Sequence, residues 1–140
     1  MTFSSLQEAV DSIQTACGAV SGVKFAPPEP PENVPQYPFV VTYPASFTIT
    51  QGPQGMLTYL HDIRVELHIA RKDLPVDVGA ALGYSESIPN AFVGALNDNE
   101  AAQGSVVGTF GALGWTGDES TDSIGFSWTI TKIKIQVTLT

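Results

Sequence analysis

The residues of this chain best suited to acid–base chemistry lie in one short segment, HDIRVELHIARKDLP, which runs from His61 to Pro75. It contains two histidines, three acids and three basic residues, although charged residues make up only 14% of the chain. Histidine titrates near neutral pH, and paired carboxylates can serve as general acid and base. The segment is therefore either a catalytic or metal-binding group or the polar side of a structural strand.

The spacing of these residues favours the structural strand. Apolar and polar residues alternate with the two-residue period of a half-buried antiparallel strand. His61 and His68 are seven residues apart, so they lie on opposite faces of a regular strand and do not readily share a metal. Asp62 and Glu66 share a face about 13 Å apart, which is wider than the roughly 6.5–9.5 Å of an inverting glycosidase pair. We interpret the charged positions as a solvated or subunit-facing polar stripe of Arg64, Glu66 and His68.

Other templates for chemistry fit no better. The chain has no GxSxG, and the glycines of GALGWTGD lack the GK[ST] of a phosphate-binding loop. The acids Asp118, Glu119 and Asp122 could gather around calcium, but they lack the twelve-residue calcium-loop pattern. Cys17 is the single cysteine, which excludes an internal disulfide and a Cys-rich zinc site and favours a buried structural thiol. We therefore predict no catalytic residue, no metal and no cofactor.

The first third of the chain predicts a helix followed by a connector. A cap at Ser4 or Ser5 and apolar residues at spacings of three and four predict an amphipathic helix from Ser5 to about Ala19. Six prolines between Pro27 and Pro38 then favour an extended, proline-rich arm at about 26–38. The arm either braces the domain or a neighbouring subunit, or it is a ligand for a proline-recognition domain.

The middle of the chain predicts strands and a broken helix. Two short strands separated by a turn at Pro44-Ala45 are expected from residue 39 to 49, and Gly52 to Gly55 predicts a turn before the strand that begins the charged segment. Asp73 can cap the next helix, which we expect to break near residues 83–87 because of Gly83 and Pro89. We predict a glycine-interrupted strand or hairpin over residues 106–115, with Trp115 as a core or interface anchor, then an acidic loop.

The last predicted strand, from Ile124 to Leu139, changes phase. Its apolar residues occupy even positions up to Ile130 and odd positions from Ile133 onward. Either a bulge near Thr131-Lys132 corrects the register, or the distal half contacts another subunit through Ile133, Ile135 and Val137.

The length and charge of the chain limit the classes of protein to which it can belong. The 140 residues suit one domain of the α+β class, a mostly antiparallel sheet flanked by an N-terminal helix and a central broken helix. The sequence shows neither a membrane span nor a secretory signal, so synthesis and assembly in the cytoplasm are expected. The net charge of −8 arises from a segment without lysine or arginine between Asp73 and Asp122. Such a surface repels phosphates and is either a solubilising face or a surface that DNA passes without binding.

The order of these elements resembles the tail-terminator and tail-completion proteins of long-tailed bacteriophages. The resemblance lies in the alternating strand that ends in Arg71-Lys72-Asp73-Leu74 and leads into a helix whose second half runs from Ile88 to Leu96. It extends over most of the chain, while the glycine-rich insertion before the last strand matches no motif.

This resemblance implies a virion protein without catalytic activity. A subunit of this kind forms a ring, expected to be hexameric, on the head-proximal end of the tail tube, stops tube polymerisation and joins the tail to the head connector. Its expected partners are copies of itself, the tail tube protein and a head-tail connector or head-closure protein, with no membrane and no specific nucleic acid. DNA would pass through the ring beside Asp118, Glu119 and Asp122. The alternatives are a head-closure or other neck component, or a small cytoplasmic ligand-binding or hydrolytic domain that uses a cleft between the residue 73–96 helices and the sheet.

Overall fold

The described part of the chain folds as one antiparallel sheet with two helices packed on one of its faces. The computed structural model describes residues 5–24, 26, 38–70, 78–97, 106–112 and 123–138. The elements within them are α1 (Leu6–Gly18), β1 (Phe39–Gln51), a short 3-10 turn (Pro53–Gly55), β2 (Met56–Ala70), α2 (Val78–Asn97), β3 (Val106–Ala112) and β4 (Ser123–Thr138). The strands are ordered β1-β2-β4-β3, and each pair of neighbours is antiparallel. The α+β prediction is confirmed.

Helix α1 forms where its apolar spacing predicts. Ser5 is the N-cap, and its hydroxyl accepts a 3.1 Å hydrogen bond from the backbone N–H of Glu8. Ala9, Ile13 and Cys17 lie on one side of the helix and are fully buried. Burial raises the pKa of the Cys17 thiol to about 12, so the thiol stays protonated at neutral pH and packs as a small apolar group.

The main core lies between the helices and one face of the sheet, here called the helix-side face. The central strand β2 contributes the alternating residues predicted from the sequence, and both helices pack against them. Each fully buried aliphatic side chain contributes about 1.5–3 kcal/mol through the hydrophobic effect. The face is held to α1 by Gln14, whose amide donates to the carbonyl of Val40 at 3.0 Å and accepts from the hydroxyl of Thr42 at 2.8 Å. The core side chains are those of Ala9, Ile13, Cys17, Val40, Ile63, Val65, Leu67, Ile69, Ile88, Phe92, Phe126, Trp128, Ile130 and Ile133.

The phase change of the last strand is resolved by a bulge. His61 pairs with Ile133 and Ile63 pairs with Ile130, so two residues of β4, Thr131 and Lys132, oppose the single residue Asp62. This confirms the bulge predicted near Thr131-Lys132. The extra residue keeps the even-numbered and odd-numbered apolar positions of β4 on the same face of the sheet.

A second irregularity lies opposite the first, on the other side of β2. Pro44 pairs with Ile63 and Ser46 pairs with Asp62, which leaves Ala45 as an extra residue in β1. The prediction of two short strands separated by a turn at Pro44-Ala45 is therefore wrong, because β1 passes through this point as one strand with a bulge. Proline is tolerated there because β1 is an edge strand, and an edge strand needs hydrogen-bond donors on only one side.

Helix α2 is continuous, whereas the sequence predicted a break near residues 83–87. It runs from Val78 to Asn97 and contains Pro89 in its interior. The buried residues Ile88 and Phe92 lie on either side of the proline along the helix, and their packing stabilises helical backbone that local propensity disfavours. The hydroxyls of Ser85 and Ser87 donate to the carbonyls of Leu82 and Gly83, so the two serines bond within the helix. The predicted Asp73 cap lies outside the described residues.

The proline-rich segment begins and ends at one place in the fold. The backbone N–H of Lys24 donates a 3.0 Å hydrogen bond to the carbonyl of Pro38, which directly precedes β1. The described residues on the two sides of the segment, Lys24 and Pro38, therefore lie next to each other. Residues 27–37, where the predicted arm has most of its prolines, lie outside the described residues, and the role of the arm stays a prediction.

Candidate functional site

Glu66 and His68 of β2 form a hydrogen-bonded cluster with Tyr43 of β1 on the face of the sheet opposite the helices, here called the outer face. The Tyr43 hydroxyl donates to Oε2 of Glu66 at 2.6 Å, and Nε2 of His68 lies 3.0 Å from Oε1 of the same carboxylate. The His68 ring is fully buried and packs against the Phe39 ring, with centroids 5.2 Å apart. We name Tyr43, Glu66 and His68 the outer-face cluster.

The electrostatics of this cluster favour a charged Glu66. Burial, the largest effect, would raise the pKa of Glu66, but hydrogen bonds from His68 and Tyr43 and the positive charge of Arg64 lower it overall. Burial also raises the pKa of Tyr43 to about 12, and its bond to Glu66 adds to that rise. The phenol therefore remains protonated and donates to a carboxylate, which is a charge-assisted hydrogen bond.

The predicted polar stripe is thus not solvated along its length. Glu66 and His68 are buried within this single chain, while Arg64 is half-buried beside them. The expectation of a solvent-facing or subunit-facing stripe is wrong for Glu66 and His68, which are buried in this chain beside Phe39, Val41 and Tyr43 of β1 on the same face. The prediction that His61 and His68 lie on opposite faces is confirmed, since His61 pairs with Phe47 and Ile133 on the helix-side face. As a buried group, His68 could not meet a substrate from solvent in this conformation.

Beyond the two bulges the sheet continues with an apolar helix-side face that is partly uncovered. We name residues 46–51, 56–61 and 133–138 the distal sheet. Its helix-side positions form three rows across β1, β2 and β4: Phe47, His61 and Ile133, then Ile49, Tyr59 and Ile135, then Gln51, Leu57 and Val137. His61 and Ile133 are buried, whereas Phe47 is 60% exposed and Ile49 is 48% exposed. The apolar face therefore becomes uncovered toward the β1 edge.

Aromatic residues pack against one another where the covered part of the distal sheet meets the uncovered part. The His61 ring is stacked on Tyr59 with centroids 5.7 Å apart, and it lies 5.6 Å from Phe47. Burial lowers the pKa of His61, with a smaller opposing effect from Asp62. His61 is therefore neutral at pH 7 and packs here as an aromatic residue.

The opposite edge of the sheet carries a second exposed apolar group. Strand β3 contains no charged residue and no proline, and Val106, Val107 and Phe110 are 40%, 58% and 49% exposed. Phe110 packs on Phe126 of β4, with ring centroids 4.8 Å apart. Natural edge strands usually carry charges, prolines or bulges that prevent pairing with another chain. Strand β3 has none of these within its seven residues.

Some of the other predicted interface residues lie within the part of the chain that the structure describes, and the rest lie outside it. Ile133 is buried in the main core, so it is not an exposed contact residue. Ile135 and Val137 pair with Tyr59 and Leu57 in the distal sheet, at helix-side register positions. The remaining predicted residues, Trp115 and the acids Asp118, Glu119 and Asp122, lie outside the described residues.

Sequence reasoning missed the exposed residues of the two edges. Phe47, Ile49 and Phe110 were expected to belong to ordinary half-buried strands. The pattern of β1 gave no signal for them. Phe39, Val41 and Tyr43 occupy odd positions, as Phe47 and Ile49 do, and only the bulge at Ala45 moves those positions from the outer face to the helix-side face.

A cavity of about 510 Å³ lies beside α1 and is lined by Asp11, Gln14, Thr15, Gly18 and Ala26. It is not the cleft expected between α2 and the sheet. In that region Phe92 and Trp128 are both buried and pack edge to face with centroids 6.2 Å apart. Among the described residues, no three His, Cys, Asp or Glu side chains are grouped as ligands for a metal ion. Neither described helix is long and apolar enough to cross a membrane.

Comparison with known proteins gives no assignment. No protein-family model matches the chain, and no curated protein sequence matches it.

Proposed function

We propose that this chain is a structural subunit that assembles with copies of itself into a ring, and that the ring is a tail terminator of a long-tailed bacteriophage. One observation supports self-assembly above all. The single sheet carries exposed apolar side chains at both of its edges, Phe47 and Ile49 on β1 and Val106, Val107 and Phe110 on β3. Contiguous exposed apolar surface on a small protein is typical of an interaction site.

Two separate patches favour a head-to-tail arrangement. A two-fold dimer joins a patch to its own copy and leaves the other patch in water. A head-to-tail contact joins the β1 edge of one copy to the β3 edge of the next, so both patches are covered in every subunit. Contacts of this type generate closed rings when the rotations between successive copies add up to one full turn.

The resemblance to tail terminators supplies the rest of the proposal. The ring caps the head-proximal end of the tail tube, stops further addition of the tube protein and presents a surface to the head connector. The acids between Asp73 and Asp122 border the channel through which DNA passes, where like charge prevents binding. The ring acts within the assembled virion and requires no catalytic step.

The tail-terminator assignment is tested with tail tubes of the cognate phage. The purified chain is added while tube protein polymerises, and tube lengths are measured by negative-stain microscopy. The expected result is shorter tubes with additional density at one end. Tubes of unchanged length without end density would contradict the assignment, and saturable stabilisation by a small metabolite would favour the ligand-binding alternative through the α1 cavity.

A further inference from the structure

We infer that the outer edge of β3 pairs by backbone hydrogen bonds with the distal half of β1 in a second copy of this chain. The sheet would then continue from subunit to subunit. This inference rests on the proposed ring and specifies the contact that builds it, a strand-to-strand junction between residues 106–112 of one copy and residues 46–51 of the next.

The topology makes such a junction regular. All neighbouring strands are antiparallel and the sheet has four of them within the described residues, so its two edge strands run in opposite directions. When copies follow head to tail with the sheet facing the same way, β3 of one copy meets β1 of the next in the antiparallel sense. The hydrogen-bonding pattern of the sheet then continues across the boundary. Val106 lies level with Pro44 through Ile130 and Ile63, and the rest of β3 lies level with the residues before Pro44. A junction with residues 46–51 therefore requires the next copy to be displaced along the strand direction.

The two edge segments are alike in the properties that pairing requires. Residues 46–51, SFTITQ, and residues 106–112, VVGTFGA, both lack charged residues and proline. The first half of β1 is less suitable, because it ends at Pro44 and the bulge at Ala45. The available part of the β1 edge is therefore the distal one, which has six residues against the seven of β3.

The side chains of the two segments also match by face. Phe47 and Ile49 lie on the helix-side face through their pairing with His61 and Tyr59. Val106 and Phe110 lie on the same face through their pairing with Ile130 and Phe126. In a continued sheet one apolar pair, such as Ile49 and Val106, lies directly opposite, and Phe47 and Phe110 are then diagonal neighbours. A directly opposed pair stabilises a sheet by roughly 0.2–1 kcal/mol.

The complementary directions and faces of the two edges identify the occupant as a second copy, and charge permits it. Each chain carries a net charge of −8, so repulsion between two copies is smallest when they meet through uncharged surface. Both edge segments are uncharged, which allows close approach of two acidic chains. A basic protein partner would instead be expected to dock on acidic side chains, and neither segment has any.

The test uses two variants that each block one edge. Phe47→Lys places a charge on the β1 edge, and Val106→Lys places one on the β3 edge. Each variant has a control of matched exposure on α2: Leu82→Lys, with Leu82 58% exposed, and Val93→Lys, with Val93 39% exposed. Circular dichroism and thermal unfolding establish that all four variants are folded, and native mass spectrometry measures their assembly.

The expected result is complementation. Each edge variant alone is monomeric, whereas an equimolar mixture of the two forms a dimer of unlike subunits, because Phe47→Lys keeps an intact β3 edge and Val106→Lys keeps an intact distal β1 edge. The α2 controls assemble like the wild type. A dimer formed by Phe47→Lys alone would overturn the inference in favour of pairing between two β3 edges.

Two further outcomes separate this inference from the proposed function. If both edge variants still formed rings of the same mass as the wild type, the strand junction would be contradicted. The proposal that the chain forms a ring would be unaffected. A wild-type chain that remains monomeric at every concentration, and also beside tail tubes, would contradict both.

Cysteine crosslinking gives an independent measurement if a lysine variant does not fold. Thr48→Cys and Thr109→Cys place thiols on the outer face of the two edges, and the native Cys17 is buried and does not compete. A short thiol crosslinker should join the two unlike variants in a mixture. Crosslinks only between like copies would overturn the inference.

Discussion

Phe47 and Phe110 lie on the same face of one sheet at its two opposite edges, and about half or more of each side chain is exposed. Phe47 is held beside His61 and Phe110 beside Phe126, so both rings are fixed by the fold while one side of each remains uncovered. This relationship underlies the proposal of head-to-tail assembly.

The outer-face cluster should contribute measurably to stability. Glu66→Gln keeps the shape of the side chain but removes the charge that accepts bonds from Tyr43 and His68, and it should lower the free energy of unfolding by about 1.5–3 kcal/mol. Urea titration measures the change. Ser46→Ala is the control, because it removes an exposed 3.1 Å bond to Asp62 and should cost close to nothing. If the two substitutions lowered the free energy of unfolding equally, burial of the cluster would not explain its contribution to stability.

The same cluster predicts a pH dependence. The pKa of Glu66 is lower in the folded chain than its ordinary value of 4.5, so the unfolded state takes up a proton at higher pH than the folded state does. The stabilisation is therefore complete above about pH 4.5 and is lost as the pH falls through the folded pKa. The difference in unfolding free energy between wild type and Glu66→Gln should be constant near neutrality and should shrink on acidification. A difference that grows toward low pH would contradict this assignment.

The bulge in β4 should be essential for the register of the distal sheet. Inserting one alanine between Thr131 and Lys132 adds a second extra residue and moves Ile133 from the helix-side face to the outer face, which should cost at least about 1.5–3 kcal/mol for that side chain alone. Lys132→Ala keeps the residue count and serves as the control. Hydrogen exchange of the β2 and β4 amides should show loss of protection in the insertion variant only. Unchanged protection after the insertion would show that the bulge does not set the register.

Two paired glycines should respond differently to alanine. Gly125 and Gly111 are register partners in β4 and β3, but a Cβ on Gly125 would collide with the carbonyl of Leu67, whereas a Cβ on Gly111 meets nothing within 4 Å. Gly125→Ala should therefore destabilise by about 1–3 kcal/mol, and Gly111→Ala should be neutral or stabilise by up to about 1 kcal/mol. Thermal unfolding distinguishes the two. Similar melting temperatures for both variants would contradict the close approach of β2 and β4 at Gly125.

The sequence was informative where periodicity alone decides structure. Apolar spacing in α1, the alternation of β2 and the phase change of β4 predicted the helix, the central strand and the bulge, because a buried face imposes a fixed period. Helix α2 was predicted with a break because Gly83 and Pro89 disfavour helix locally. The tertiary packing of Ile88 and Phe92 keeps that segment helical, and the local sequence pattern gives no information about this packing.

The candidate site was harder to predict than the fold. The polar stripe was interpreted from β2 by itself. The alternation of one strand separates its two faces but does not show whether the polar face is covered, so the burial of Glu66 and His68 could not be predicted from it. The exposed edges depend on strand order, since β1 and β3 become edges only when β2 and β4 pair at the centre. Strand order arises from long-range contacts, and a single sequence carries little direct information about these.

The most direct test of the account is the native mass of the wild-type chain, measured by light scattering over a series of concentrations and followed by negative-stain imaging of any large species. The account predicts a ring with a central hole, and six copies of the 14.8 kDa chain would give about 89 kDa. A species that remains at 14.8 kDa throughout the series, both alone and after addition to tail tubes without a terminator, would contradict self-assembly.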